Sequence, residues 1–350
     1  MENIRVIIWG LGAMGTGMAK MLLTKRGVEI VGVSRRSKEY VGKDLFDVLD
    51  LQRGNRKPVI ITDNLDELIQ KNKADVVLIA TDSFTRETID KIRLVAQNKM
   101  NVISIAEEMA YPWAQEPEMA AEMDQIAKEH GITILGTGIN PGFVLDLLVL
   151  ALTGTCESVD YIKASRVNDL SPFGTAVMKG QGVGLTEEGF NEGVENETVV
   201  GHVGFPESIR MVGDGLGWKI DAIEQSREPI ISNVERETEY VKVEAGNVAG
   251  CRHNATGSED GVIKIDMEHP QQVHPSLEGQ ETGDYIWVRG NPDINMQIKP
   301  EIPGGIGTIA MAVNMIPHVI NSRPGLKSML DLPVPRAIMG DMRDLLEEKE

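Results

Sequence analysis

The order of apolar and polar positions divides the chain into two stretches of different character. Residues 4–9 form a Val/Ile-rich run, Gly10 to Gly15 a glycine turn, and 16–24 a helix with Met18, Met21 and Leu22 on one side. The runs 28–33 and 76–80 are unbroken, as strands covered on both faces of a parallel sheet must be. The spacing predicts helices over 64–71, with Asn64 and Glu67 as a cap pair, over 85–97 and over 116–130, and further strands over 101–105 and 132–135. Strands alternating with helices specify right-handed crossovers, and so an α/β fold with a Rossmann-type doubly wound parallel sheet. Beyond about Asp160, strand-like runs at 161–166, 239–245, 261–267 and 284–289 are separated by polar, glycine-rich stretches with no regular helix between most of them. That pattern predicts a second, α+β domain on a largely antiparallel sheet. Helical periodicity returns at 308–319. The expected division is a first domain over 1–140, with a C-terminal helix at about 304–322 packing back on it, and a second over 141–303.

Composition narrows the function classes. The 350 residues are 41% hydrophobic and 25% charged, ordinary globular usage with room for two cores. Aromatics are only 4% while Gly (36) and Met (17) are plentiful, so the cores must be aliphatic and the turns tight. A net charge of −18 repels polyanions, which excludes nucleic acid and anionic membrane as general partners and leaves a cationic or zwitterionic small molecule. Cys156 and Cys251 stand apart, without CxxC or His-rich context, so neither a disulfide framework nor a metal site is expected. The start carries no basic and apolar export pattern, and the apolar run 143–152 is interrupted by Asp146 and too short to span a bilayer. A cytoplasmic location is expected.

Candidate chemistry sits after the strands. Gly10-Leu11-Gly12-Ala13-Met14-Gly15 is a GxGxxG turn between a strand and a helix, the context that makes it a dinucleotide site. An acidic residue commonly ends the second strand of an NAD site; here Ser34, Arg35 and Arg36 follow, a cradle for a 2′-phosphate. NADP is therefore preferred, with NAD usable if the arginines only stack and solvate. Ala80, Thr81 and Ser83 follow the third long strand and can approach the nicotinamide-side ribose, though Ser83 is also placed to cap the next helix. After 101–105 come Glu107 and Glu108; two adjacent carboxylates repel, which favours a proton-accepting group tuned towards neutrality, unless both are solvated loop acids. The loop Gly136 to Phe143 offers Thr137 and Asn140 to cofactor or substrate, and its glycines and proline equally suit a hinge.

Three of these segments go beyond generic. Ala106-Glu107-Glu108-Met109-Ala110-Tyr111-Pro112, Gly136-Thr137-Gly138-Ile139-Asn140-Pro141-Gly142-Phe143, and Pro303 to Thr308 with Asn321 to Leu326 closely resemble the 2,4-diaminopentanoate dehydrogenases, grouped with native amine dehydrogenases in a wider dihydrodipicolinate-reductase-like set. The resemblance spans nearly the whole chain. It implies NAD(P)-dependent oxidative deamination of 2,4-diaminopentanoate to 2-amino-4-oxopentanoate and ammonia, in ornithine fermentation, with a glutamate of this segment as catalytic acid. By analogy with related enzymes in which the second position after the same strand faces substrate, Glu108 is preferred to Glu107. Arg166, Asn168 and His253 are candidates for the amino-acid end of the substrate, and a homodimer is expected through the second domain. The His-His and Lys/Ser-Gly-Thr segments of dihydrodipicolinate reductases are missing from 165–184, which argues against that reaction. Another imine or amine oxidoreductase of this architecture, or a dinucleotide sensor without turnover, are the alternatives.

Overall fold

The structure is a computed structural model that describes residues 2–347. The chain divides into two compact units, one built from residues up to 143 together with those from 303 onward, the other from Val144–Ile302.

In the first unit the expected alternation is present: β1 (Ile4–Trp9), α1 (Ala13–Thr24), β2 (Val28–Ser34), α2 (Leu45–Val48), β3 (Ile61–Thr62), α3 (Leu65–Lys71), β4 (Val76–Ile79), α4 (Thr85–Gln97), β5 (Asn101–Ser104), α5 (Pro117–His130) and β6 (Thr133–Gly136). Asn64 caps α3 as predicted, accepting from the Glu67 N–H at 3.2 Å while its amide donates to the Glu67 carboxylate. Among the described residues seven strands make one sheet in the order β3-β2-β1-β4-β5-β6 and then Gly325–Lys327, each neighbouring pair parallel. The order reverses between β1 and β4, and ligands of such sheets gather beyond the strand ends at that reversal. The four residues of β4 are all buried. Helix α4 lays Thr88, Ile89, Ile92, Val95 and Ala96 onto this core, and burial of each large aliphatic side chain contributes about 1.5–3 kcal/mol.

In the second unit two expectations need correction. The run 239–245 is not a strand of the main sheet; only Lys242–Val243 pairs, with Arg236–Glu237, in a separate two-stranded ribbon. Helices also stand where none was expected: α6 (Leu147–Thr153), α7 (Thr175–Gly180), α8 (Glu187–Glu195) and α9 (Phe205–Leu216). The sheet consists of β7 (Ser158–Asp169), β8 (Ala222–Ile231), then, with β9 (Arg236–Glu237) and β10 (Lys242–Val243) forming the ribbon, β11 (Val248–Glu259), β12 (Val262–Gln272), β13 (Gly283–Asn291) and β14 (Ile294–Ile298). Its order is β14-β13-β7-β12-β11-β8, antiparallel except for β7 against β12. Helix α9 packs on β11 and β12. Gly257 permits this, because a Cβ there would lie 2.6 Å from Ile209.

The C-terminal helix expected at about 304–322 is divided into α10 (Gly304–Asn314) and α11 (Ile316–Asn321), with Pro317 in the first turn of the second. Helix α10 packs against α1, where Gly17 leaves room for Ile309. The chain then adds β15 (Gly325–Lys327) beside β6.

Candidate active site

The glycine turn has the shape its residues require. Gly10 takes φ +105°, and a Cβ on it would meet Thr81 at 2.6 Å and the Ala80 carbonyl oxygen at 2.7 Å. A Cβ on Gly15 would sit 1.8 Å from the Gly10 oxygen, so the helix could not approach the strand. Gly12 is the N-cap of α1, and a Cβ there would meet nothing within 4 Å, which leaves open ground over the helix N-terminus. No acidic residue stands in the first turn of α1, so nothing opposes an anion at its positive end. The turn fits a dinucleotide pyrophosphate. Leu11 is buried beneath it.

Beside the turn lies a recess of about 350 Å³, walled by Met14, Ala80, Thr81, Asp82, Ser83 and Glu107 among others. The Asp82 carboxylate accepts from the Thr81 hydroxyl at 2.6 Å and pairs with Lys91, so its charge is locally balanced. Glu107 opens the short 3₁₀ turn Glu107–Ala110 that follows β5. Gly136 makes the turn's position possible, because a Cβ there would fall 1.8 Å from the Met109 carbonyl oxygen. Burial pushes the Glu107 pKa above the usual carboxylate range, and the charge of Glu108 adds to this; hydrogen bonds from its own backbone and from Ser83 act the other way. A carboxyl tuned in this direction suits proton transfer nearer neutrality.

Glu108 is turned elsewhere. Its Oε2 accepts from the Thr85 N–H at 2.8 Å, and its own N–H donates to the Ser83 carbonyl at 3.1 Å. The preference for Glu108 as the residue facing the recess therefore gives way to Glu107: 3₁₀ geometry rotates successive residues by about a third of a turn, so neighbours cannot share one direction. The expected Ser83 cap is also replaced, since the N-cap of α4 is Phe84 and the side chain reaching the first turn is that of Glu108.

The remaining candidates are scattered. Ser34 is buried at the end of β2, Arg35 lies over the Tyr40 ring at 3.7 Å, and Arg36 is exposed. Thr137 is buried, with its hydroxyl donated to the Met329 sulfur at 3.2 Å and its N–H to the Ser104 carbonyl. Asn140 is half-buried at a cis Asn140-Pro141 peptide.

In the second unit Arg166 is buried and committed to Asp284 at 2.6 Å and to the Ile302 carbonyl at 2.5 Å. Burial raises the Asp284 pKa, and that guanidinium opposes the rise. His253 is 0% exposed and its Nδ1 accepts from the His202 N–H at 2.9 Å, so it supports a loop and does not face outward. Asn168 does join a polar group, through a 3.0 Å contact between its Oδ1 and His269 Nε2. The rings of His202 and His269 lie 4.8 Å apart, and His202 is edge-on to Phe205. Strand register explains the gathering, because Arg227, His253 and His269 face one another across β8, β11 and β12. Burial and the nearby arginines hold all three histidines neutral, with the His253 pKa lowered to about 3. Sequence reading missed His202 and His269, although alternation of Ile265, Met267 and His269 already put that histidine on the covered face.

Among the described residues no His, Cys, Asp or Glu group of three or more is gathered for a metal, and no helix is long and apolar enough to cross a membrane.

Residues 143–348 match the family described as 2,4-diaminopentanoate dehydrogenase C-terminal domain, and residues 4–107 the family described as dihydrodipicolinate reductase, N-terminus. The chain is 57% identical over 350 residues to a 2,4-diaminopentanoate dehydrogenase of Acetoanaerobium sticklandii, covering 100% of this chain and 99% of the relative. The structure of an amine dehydrogenase from Mycobacterium smegmatis is similar with a TM-score of 0.81 at 28% identity, over 96% of this chain and 97% of that one. A myo-inositol dehydrogenase from Lactobacillus casei shares the fold alone, with a TM-score of 0.52 at 15% identity over 85% of this chain and 74% of that one.

Proposed function

The chain belongs to the 2,4-diaminopentanoate dehydrogenase family, and on that premise we propose that it catalyses the NAD(P)-dependent oxidative deamination of 2,4-diaminopentanoate to 2-amino-4-oxopentanoate and ammonia. The observation that carries this reading is 57% identity across the full length. Its physical counterpart is the Glu107 carboxyl in the recess beside the glycine turn.

The cofactor, when bound, would supply a nicotinamide ring able to accept a hydride. The turn Gly10 to Gly15 would hold the pyrophosphate at the N-terminus of α1, and Ala80, Thr81 and Ser83 wall the recess. Arg36, beside the Arg35–Tyr40 stack, would meet a 2′-phosphate, a contact that would favour NADP over NAD. Asn140 serves the nicotinamide or the substrate from its loop. Glu107 works as a carboxylate. Hydride can leave only from the neutral amine, so Glu107 first takes the ammonium proton. Glu107 then releases that proton to solvent, and its restored negative charge stabilises the substrate iminium; it next takes a proton from the water that attacks the same carbon and returns it to the departing ammonia. Within the second unit, Asn168, whose Oδ1 lies 3.0 Å from His269 Nε2, is the candidate among Arg166, Asn168 and His253 for the substrate's amino-acid end. A homodimer acting in the cytoplasm, in ornithine fermentation, completes the reading.

Replacing Glu107 by Gln removes the proton acceptor at nearly constant shape. General-base catalysis contributes about 10²- to 10⁴-fold, so kcat falls by that factor while cofactor affinity stays unchanged. Full deamination by Glu107→Gln overturns the assignment.

A further inference from the structure

The recess beside the glycine turn carries more acid than proton transfer at Glu107 uses. Asp82, Glu87 and Glu107 all line it, and among the described residues the only cation paired with any of them is Lys91, on Asp82. Asp82 stands in the turn after β4. Its Oδ2 accepts from the Thr81 hydroxyl at 2.6 Å and pairs with Lys91, whose ammonium also donates to the Glu87 carbonyl at 2.9 Å and is thereby tied to α4. Its Oδ1 accepts from no described residue, although the side chain is only 8% exposed and lines the recess. A carboxylate has acceptor sites on both oxygens, and enclosing one without a donor is unfavourable. The free oxygen therefore points to a donor brought by a ligand. Glu87 and Glu107 add negative charge without cationic partners of their own, so the recess draws a cation in preference to a phosphate-bearing group. Glu87 is an exposed, longer side chain on α4, whereas Asp82 is held in place before anything binds, which lowers the ordering cost of a contact.

We propose that Asp82 is a specificity-determining residue whose Oδ1 accepts from the C2 ammonium of the diamine, the nitrogen that does not react. The inference rests on the reading of the chain as a 2,4-diaminopentanoate dehydrogenase with Glu107 as the base. The substrate carries two ammonium groups, and only the one at C4 gives up its proton to Glu107. An ammonium beside an ionised carboxylate keeps its proton, and hydride leaves only from a carbon bearing neutral nitrogen. Asp82 thus does two things with one contact: it selects a diamine over a monoamine, and it protects C2 from oxidation. Lys91 and Thr81 are positioning residues for it, occupying Oδ2 so that Oδ1 is the oxygen left for the recess.

The test compares 2,4-diaminopentanoate with 4-aminopentanoate, the analogue lacking the C2 amine, at saturating NADP⁺. Where 4-aminopentanoate is not turned over, its affinity is read as a competitive inhibitor. The wild-type protein binds the diamine more tightly. In Asp82→Asn, which keeps the shape and removes the charge, KM for the diamine rises roughly ten- to hundredfold, the size of a lost hydrogen bond to a charged group. The constants for 4-aminopentanoate and NADP⁺ stay where they were, so the two amines come to bind alike. If Asp82→Asn does not fold, the double variant Asp82→Asn/Lys91→Met, which leaves neither charge unpaired, carries the same comparison. Equal losses with both amines, or equal affinity for the two in the wild-type protein, overturn the ammonium contact while the deamination stands. A loss confined to NADP⁺ gives Oδ1 to a cofactor hydroxyl and overturns it too. A wild-type protein that deaminates neither amine overturns the proposed function itself.

Discussion

Cofactor choice comes down to guanidinium placement at the end of β2. Arg35 covers the Tyr40 ring at 3.7 Å, a cation–π contact that fixes it as a platform, while Arg36 stays exposed. Removing Arg36 is therefore expected to cost NADP⁺ alone. In Arg36→Ala, kcat/KM with NADP⁺ falls about tenfold relative to NAD⁺, equivalent to roughly 1.4 kcal/mol; equal losses with both cofactors would contradict a 2′-phosphate contact. Gly136 makes a different prediction, because a Cβ at that position collides with the Met109 backbone. Gly136→Ala must displace the turn that carries Glu107, so it lowers kcat together with the thermal midpoint. At this scale the sequence was informative about residue type and poor about direction. GxGxxG and the paired glutamates were legible, because turn glycines and strand-end acids have few other uses. Whether Glu107 or Glu108 faces the recess depends on a 3₁₀ turn and a remote helix cap, which no local pattern encodes.

Among the elements, α4 was legible to its boundaries, Thr85 to Gln97, because one apolar stripe recurs at helical spacing. Strand β11 was not. Its residues Gly250, Asn254, Thr256 and Gly257 read as loop, and only the partners β8 and β12 make them a ladder. That lost strand hid the histidine row, whose acid sensitivity can be measured. His253 has a folded pKa near 3 against an ordinary value of 6.5. Its stabilising contribution is therefore complete above about pH 6.5 and is lost as pH falls towards 3, by up to about 1.4 kcal/mol per pH unit. His202 and His269 are shifted in the same direction. The unfolding free energy should decline between pH 7 and pH 5, and His253→Gln should make that decline shallower. An equal slope in both proteins would show that His253 is not buried neutral.

For the whole molecule, alternation of strands and helices disclosed the parallel sheet, whereas the late return of β15 to its edge was invisible, three residues being too few for a pattern. The second unit's sheet leaves Tyr161, Lys163, Tyr285 and Trp287 half-exposed on the face opposite the histidine row, with the Tyr285 and Trp287 rings stacked 5.8 Å apart. A partly aromatic sheet face of this kind suits pairing of two copies, and light scattering should return twice the chain mass of 38.4 kDa; a single-chain mass would contradict the dimer. The central claim is tested most directly by stoichiometry. The protein is incubated with 2,4-diaminopentanoate and NADP⁺ or NAD⁺, and reduced cofactor, ammonia and ketone are measured together. One of each per turnover, with the ketone at C4 and turnover lost in Glu107→Gln, is the predicted result. Cofactor that binds without being reduced, or reduction without ammonia release, would contradict it.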